Sequence, residues 1–155
     1  MADVREETGE KVVSTNRKAR HEYTILDTIE AGIVLKGTEV KSLRQGKANL
    51  TDGYAAIKDG EVWLMGMHIS PYEQGSYANV DPVRNRKLLL HKHEIRRLAQ
   101  KTSQKGLTLI PLKVYFKKNN AKVLLGVAQG KKAYDKRAAI AEREMEREVR
   151  RKYAR

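Results

Sequence analysis

Two β-hairpin signals constrain the fold of this sequence most strongly. In YAAIKDGEVWLMGMHI, the pair Asp59-Gly60 separates two β-prone runs, and a type I′ turn requires positive φ at both central positions. In LTLIPLKVYFKKNNAKVLLGVAQG, β-branched and aromatic residues stand on both sides of Asn119-Asn120, and asparagine tolerates left-handed turn geometry. The sequence therefore predicts two hairpins, one centred on each pair.

The segments outside the hairpins predict further strands and short helices. HEYTILDTIE has Tyr23, Ile25 and Ile29 mostly on alternate positions, which indicates a strand. TEVKSLRQG predicts one or two turns of helix that end at Gly46. Residues 71–86 carry two prolines and no periodicity, which predicts a long exposed loop.

One longer helix is predicted inside the domain. HKHEIRRLAQKTSQKG has apolar residues at helical spacing and Gly106 beyond the end. His91 stands at the start, and Glu94 three residues later is typical of a capping box. Many short strands with few helices predict a mainly β fold with added α, namely a small antiparallel β-barrel with peripheral helices, because closure removes free strand edges.

Composition divides the chain into three parts. Residues 1–20 are polar and basic, and we expect an N-terminal arm that cannot order itself alone. Residues 21–130 form the predicted barrel domain, and 155 residues suit one such domain with tails. Residues 131–155 are a charged helix-forming tail with no core to join, predicted to be disordered in the free protein and helical only against an external surface.

The charge predicts a polyanionic partner. Lys and Arg number 32 against 19 Asp and Glu, a formal net charge of +13, so nucleic acid is expected. No stretch approaches the about 20 apolar residues that a membrane span requires, and no membrane partner is expected. The absence of cysteine excludes disulfides and thiolate metal sites and suits a cytoplasmic protein.

Signals for catalysis or cofactors are weak. Only three residues separate Gly126 from Gly130, and Lys132 follows Lys131 where a nucleotide-binding loop requires Ser or Thr. His91 and His93 have no further ligands at metal-binding spacing. We therefore expect no cofactor, no metal and no enzymatic activity.

Basic and aromatic residues instead indicate a nucleic-acid-binding surface, and composition does not decide between RNA and DNA. Cations neutralise phosphates, and aromatic rings stack on unpaired bases. The predicted nucleic-acid contacts of the arm and the Gly130 turn are Asn16, Arg17, Arg20, His21, Tyr23, Gly130, Lys131 and Lys132.

Four strings carry a resemblance to a known family. They are NRKARHEY, EAGIVLKGTEVKSLRQGKANLTDGYA, DPVRNRKLLLHKHEI and GVAQGKKAYDKR, and together they cover roughly residues 14–140. In this order they resemble the small protein B family. The resemblance implies a barrel related to the oligonucleotide-binding fold. It also implies binding to the tRNA-like domain of transfer-messenger RNA (tmRNA, also called SsrA) and its delivery to stalled bacterial ribosomes in trans-translation.

The resemblance also implies particular residues and partners. Tyr23, Glu30, Leu89 and Gly130 match positions associated with tmRNA binding, although Glu30 could form a salt bridge and any of Leu88, Leu89 and Leu90 could be core. The tail is expected to become helical on the ribosome, in the decoding centre and message channel. Its expected ribosome contacts are Tyr134, Asp135, Lys136, Arg137, Arg143, Arg147 and Arg151. Indirect partners are elongation factor Tu with GTP and alanyl-tRNA synthetase.

Two alternatives stay open on the sequence. A generic single-strand RNA chaperone or ribosome-assembly factor could use a similar barrel but would not need the tail. An RNA-processing enzyme would require a cofactor loop or clustered acidic ligands, which the sequence does not display.

Overall fold

The structure is a computed structural model, and it describes residues 10–74, 79–104 and 106–130. These residues form nine strands and three helices. In chain order they are β1 (Glu10–Thr15), α1 (Arg17–Glu22), β2 (Tyr23–Ile33), α2 (Gly37–Arg44), β3 (Ala48–Asn49), β4 (Tyr54–Lys58), β5 (Glu61–Met65), β6 (His68–Ile69), β7 (Arg86–Leu89), α3 (Lys92–Thr102), β8 (Leu107–Lys117) and β9 (Asn120–Gly130). None of these helices is long and apolar enough to cross a membrane.

The large sheet has a ring-like arrangement. Its strand order is β1-β8-β4-β5-β7-β2-β9, and β8 also pairs with β9. That pairing closes a circle of six antiparallel strands, with β1 added beside β8. The circle is thinnest between β4 and β8, which share the single pair Ala55 and Leu109. The predicted mainly β, antiparallel fold with added helices is confirmed.

Both hairpins form, and one turn differs in position from the prediction. Asp59 and Gly60 have φ of 53° and 74°, as a type I′ turn requires. In the second hairpin the positive φ values fall on Lys118 (50°) and Asn119 (66°), whereas Asn120 already belongs to β9. The turn therefore lies one residue earlier than predicted.

Burial explains the register of the second hairpin. Val114 and Val123 are paired across it and both are fully buried. A slip of one residue would turn the inward side chains of a strand outward. The core therefore selects the turn, and Lys118 takes the first left-handed position.

The core fills the inside of the ring and continues under two helices. Val62, Leu64, Leu88 and Leu125 are each 0% exposed. From outside the strands, α2 contributes Leu43, and α3 contributes Ile95 and Leu98.

Local sequence signals correctly predicted the C-terminal end of α2 and both ends of α3. Gly46 follows α2 with φ of 74°. His91 is the N-cap of α3, and its N–H donates to Glu94 Oε1 at 2.9 Å. Gly106 has φ of 88° beyond α3.

The predicted N-terminal arm is partly a strand. Residues 10–15 form β1, which pairs with β8 from Glu10 opposite Lys117 to Thr15 opposite Lys113. Val13 packs against the core. The prediction of an arm without order is wrong for these residues. Their partner strand lies about a hundred positions away in the sequence, and the composition of residues 10–15 alone does not indicate that pairing. Residues 1–9 lie outside the described part.

The predicted loop at 71–86 ends in a buried ion network. Arg86 begins β7 and is 0% exposed. Its Nε donates to Glu39 Oε2 at 2.6 Å, and its guanidinium also donates to the carbonyls of Met67 and Pro82. Arg84 Nε donates to the same carboxylate at 3.1 Å. The prediction of an exposed loop is therefore wrong at Arg86. Its charge can be buried because each guanidinium nitrogen has a hydrogen-bond acceptor and Glu39 supplies the counter-charge.

Candidate RNA interface

The structure brings Tyr23 and Gly130 together at one end of the sheet. Tyr23 begins β2, Gly130 ends β9, and the two residues are paired. The short helix α1 directly precedes Tyr23, whose N–H donates to the Ala19 carbonyl. A side chain at Gly130 would meet open space, so packing does not require glycine there. The predicted contacts of α1 therefore lie beside the point where the chain continues to residue 131.

The exposed side of α1 presents cations at this end. Arg17, Arg20 and His21 are all exposed. Tyr23 is half-buried, and it lines a shallow depression together with Arg20. A ring next to guanidinium groups can stack on a base while the cations contact phosphates.

Asn16 lies in the interior, although the sequence predicts an RNA contact. It is 3% exposed, and its Oδ1 accepts from the Ala19 N–H at 3.1 Å as the N-cap of α1. Its Nδ2 donates to the carbonyls of Pro111 at 3.0 Å and Leu50 at 3.3 Å. Its side chain is satisfied internally and positions α1. The predicted RNA contact at Asn16 stays a prediction.

A groove opens between α1 and the turn that precedes β4. Its volume is 380 Å³, and both Tyr23 and Tyr54 line it, so we call it the Tyr23–Tyr54 groove. Lys18, Glu22 and Asp52 also line it. Tyr54 is 49% exposed. The sequence prediction did not include Tyr54 or Asp52, because only the fold brings their turn next to α1.

Glu30 lies on the same strand but at a distance from Tyr23. Seven residues of strand separate them, which corresponds to roughly 20 Å. The Tyr115 hydroxyl donates to Glu30 Oε2, and Lys117 Nζ lies 3.6 Å from the same oxygen. The Tyr115 hydrogen bond and the Lys117 and Lys122 charges hold the pKa of Glu30 below its usual value, against the opposing effect of burial. Glu30 therefore forms the salt bridge that the sequence left as its alternative role, and it also accepts a hydrogen bond from Tyr115.

Burial of Tyr115 completes this pair. The phenol ring is 1% exposed, and its burial together with the Glu30 hydrogen bond and charge raises the pKa of the hydroxyl. The hydroxyl therefore remains a donor to Glu30 at physiological pH.

The structure decides which of the three leucines face the core. Leu88 is 0% exposed, whereas Leu89 is 54% exposed and lies opposite Gly32 of β2. Leu90 packs partly against the core. Leu89 also lines an open groove with Lys92 and Arg96. An exposed leucine between cations can contact a partner. Because Leu89 is paired with Gly32, it lies closer to Glu30 than to Tyr23.

Several predicted contacts lie outside the described residues. They are Lys131, Lys132, Tyr134, Asp135, Lys136, Arg137, Arg143, Arg147 and Arg151. Their proposed roles stay predictions.

The described residues contain no group of three or more His, Cys, Asp and Glu placed to hold a metal ion. His91 and His93 stack on each other, with ring centroids 5.6 Å apart, at the start of α3. The arrangement at the Tyr23 end is suited to binding, since it combines cations, rings and an open backbone.

Comparison with known proteins agrees with this geometry. The family model described as SmpB protein matches residues 13–155. An SsrA-binding protein of Desulforudis audaxviator is 66% identical over 140 residues, covering 90% of this chain and 92% of the relative. Another, of Caldicellulosiruptor bescii, is 60% identical over 152 residues, covering 98% of this chain and 96% of the relative.

A solved structure is also similar. It is described as "tmRNA-SmpB: a journey to the center of the bacterial ribosome", and one of its chains is 65% identical with a TM-score of 0.66. The match covers 76% of this chain and 83% of that chain. On its fold, its surface and these similarities, the chain belongs to the SmpB protein family.

Proposed function

We propose that this chain binds the tRNA-like domain of transfer-messenger RNA and delivers it to stalled bacterial ribosomes in trans-translation, so that the nascent chain is tagged and the ribosome is rescued. The names of its relatives support this role, since they are called SsrA-binding proteins and a similar solved chain is described with tmRNA and the ribosome. The protein contributes binding and positioning, without bond-making chemistry of its own.

The observation that carries the proposal is the clustering at the Tyr23 end. Arg17, Arg20 and His21 are exposed beside the paired Tyr23 and Gly130, and Lys131 and Lys132 follow Gly130 directly in sequence. Phosphate contacts there would supply affinity, and the ring of Tyr23 would stack on an unpaired base.

Further parts of the proposal concern the ribosome. The tail from 131 to 155 enters the decoding centre and message channel, where its arginines contact ribosomal RNA. Elongation factor Tu with GTP carries the charged complex, and alanyl-tRNA synthetase charges the RNA. All of these steps take place in the cytoplasm, where ribosomes translate.

The proposal is tested by the salt dependence of binding to the isolated tRNA-like domain. Each phosphate contact contributes about 0.9 to the slope of log K against log salt. We expect the double variant Lys131→Ala/Lys132→Ala to lower that slope by about one to two units. Lys58→Ala/Lys118→Ala removes the same charge from the turns of the two hairpins, and should leave the slope nearly unchanged.

Two outcomes would count against this proposal. Equal slopes for both double variants would exclude the Gly130 surface. Equal affinity for the tRNA-like domain and for an unstructured RNA of the same length would favour a generic RNA chaperone.

A further inference from the structure

The walls of the Tyr23–Tyr54 groove are held in place from the interior. Asn16 caps α1 on one side, and the same side chain donates to the Leu50 carbonyl on the other. The Gly53 N–H donates to that carbonyl as well, at 2.8 Å. One buried amide therefore sets the spacing between α1 and the turn that carries Asp52 and leads into Tyr54 of β4.

Close backbone packing restricts the turn further. A Cβ at Gly53 would lie 2.9 Å from the Pro111 ring and 3.0 Å from the Leu50 carbonyl oxygen. A Cβ at Gly66 would lie 2.4 Å from the Asp52 carbonyl oxygen. The backbone of the turn is thus enclosed, and the groove does not need to be assembled by its ligand.

The charge of the groove differs from that of the whole protein. Its charged lining consists of the cation Lys18 and the carboxylates Glu22 and Asp52. Lys18 and Glu22 lie 3.8 Å apart and offset each other. Asp52 is exposed at the groove. In a chain of net charge +13, a groove with an excess carboxylate disfavours phosphate and favours a neutral group rich in hydrogen-bond donors.

We propose that the Tyr23–Tyr54 groove binds one unpaired guanine of the bound RNA. The base stacks on the tyrosine rings, as bases do on aromatic platforms. Its N1–H and N2 amino group donate side by side to the two oxygens of Asp52, because an ionised carboxylate accepts two parallel hydrogen bonds. Uracil presents one N–H between two carbonyl oxygens, which a carboxylate repels.

The shallow depression lined by Arg20 and Tyr23 indicates the path of the RNA backbone. Tyr23 lines both the groove and the depression that holds Arg20. A phosphate beside Arg20 therefore leaves its base on the other side of the Tyr23 ring, in the groove. This assignment rests on the proposed RNA-binding function and adds base selection to it.

Kethoxal probing tests the inference directly, because this reagent modifies N1 and N2 of unpaired guanine. We expect the full-length protein to protect at least one guanine of the tRNA-like domain that reacts in the free RNA. Asp52→Asn should restore its reactivity while the other protections remain. Tyr54→Ala should do the same and weaken binding about tenfold, whereas Tyr54→Phe keeps the ring and the protection.

Matched controls separate this inference from the proposed function. Asp59→Asn makes the same chemical change at an exposed turn outside the groove and should leave every protection intact. Thermal melts establish that each variant is folded. If the parent binds the RNA but no guanine protection depends on Asp52, the inference is overturned and the function stands. If the parent does not bind the RNA, both are overturned.

Discussion

At the scale of single residues, Asn16 and Glu30 illustrate how side chains predicted to contact RNA also have partners inside the protein. Both occur in a strongly basic chain. Asn16 instead connects α1, the Leu50 turn and β8 through its side chain. Glu30 is held by the Tyr115 hydroxyl and lies near Lys117. Each therefore contributes to stability as well as to any effect on RNA binding.

We expect Asn16→Ala to lower the free energy of unfolding by about 2–4 kcal/mol, because it removes a helix cap and the buried hydrogen bond to the Pro111 carbonyl, and leaves the Leu50 carbonyl with the Gly53 N–H alone. Urea unfolding measures the change. Asn16→Asp keeps the capping acceptor but loses the donor, and should remain destabilised; parental stability in that variant would show that the cap alone matters. Asn120→Ala, at an exposed position, should change stability by less than about 0.5 kcal/mol.

Tyr115→Phe should reduce stability at pH 7 by about 1 kcal/mol. This is below the about 1.5–3 kcal/mol usual for a hydrogen bond to a charged group, because the Glu30 side chain is 35% exposed and water screens it. The pKa of Glu30 is lowered in the folded protein, with the Tyr115 hydrogen bond as the largest cause. The stabilisation of the folded protein by ionised Glu30 is therefore fully present above the pKa that Glu30 has in the unfolded chain. It is lost as the pH falls through the lower pKa of Glu30 in the folded protein.

The measurement is urea unfolding of parent and Tyr115→Phe at pH 7 and at pH 3. We expect the difference in the free energy of unfolding between them to narrow from pH 7 to pH 3, because the stabilisation from ionised Glu30 is lost as the pH falls toward and through its lowered folded pKa. A difference independent of pH would assign the effect to packing of the ring. Tyr54→Phe serves as the control, because its hydroxyl lies on an exposed side chain. That Glu30→Ala affects RNA selectivity more than stability stays a prediction.

At the scale of elements, the Glu39 network joins α2 to β7 and to the segment before it. Glu39 is 4% exposed and accepts from Arg84, Arg86 and the Lys36 N–H. Burial alone would raise the pKa of Glu39, but the hydrogen bonds from Arg84, Lys36 and Arg86 outweigh it and the pKa is lowered. The network therefore places the charges of Glu39, Arg84 and Arg86 at the edge of a core that is otherwise apolar.

We expect Glu39→Ala to destabilise the protein by about 3–5 kcal/mol, because it leaves Arg86 buried without a counter-charge. Glu39→Ala combined with Arg86→Met should recover most of that loss, since no fully buried unpaired charge then remains and the Arg84 side chain is 23% exposed. Chemical unfolding of the single and double variants measures the coupling. A double variant as unstable as the sum of the two singles would show that the ion pair is not the cause.

The exposed pair of Lys87 and Glu61, 3.6 Å apart, provides the comparison. Glu61→Ala should cost less than about 1 kcal/mol, because water screens an exposed pair. A similar cost at Glu39 and Glu61 would contradict the assignment of the Glu39 effect to burial.

At the scale of the whole molecule, RNA binding and ribosome engagement are expected to use different parts of the chain. The candidate RNA surface lies on the described sheet, at the Tyr23 end. The expected ribosome contacts lie at 134–151, outside the described residues. In the tail, Arg143, Arg147 and Arg151 repeat every four residues, a spacing that would put them on one side of the helix we expect on the ribosome.

Truncation after Lys132 should therefore preserve binding to the tRNA-like domain and abolish peptide tagging on stalled ribosomes. A filter-binding assay and a translation assay with a message lacking a stop codon measure the two activities. Parental tagging by the truncated protein would contradict the role of the tail. A fall in RNA affinity or melting temperature would instead indicate that the tail docks on the sheet.

Features with a local cause were predictable from the sequence. The Asp59-Gly60 turn, the capping box at His91 and Glu94, and the end of α2 at Gly46 depend on residues within four positions of each other, so turn chemistry and periodicity determine them. The family resemblance named Tyr23 and Gly130, which the structure pairs, but also Glu30 and Leu89, which lie farther along β2 or opposite it. The RNA contacts of all four residues stay predictions.

Tertiary structure decided what depends on distant partners. Asn16 is held by carbonyls 34 and 95 positions away, Arg86 meets a carboxylate 47 positions away, and β1 pairs with β8 across most of the chain. The turn at Lys118-Asn119 follows from the burial of Val114 and Val123 rather than from the identity of its own residues. Such contacts form because folding buries apolar faces, and the polar groups buried with them need hydrogen-bond partners. Those partners are distant in the sequence, so the residues next to a buried polar group do not predict them.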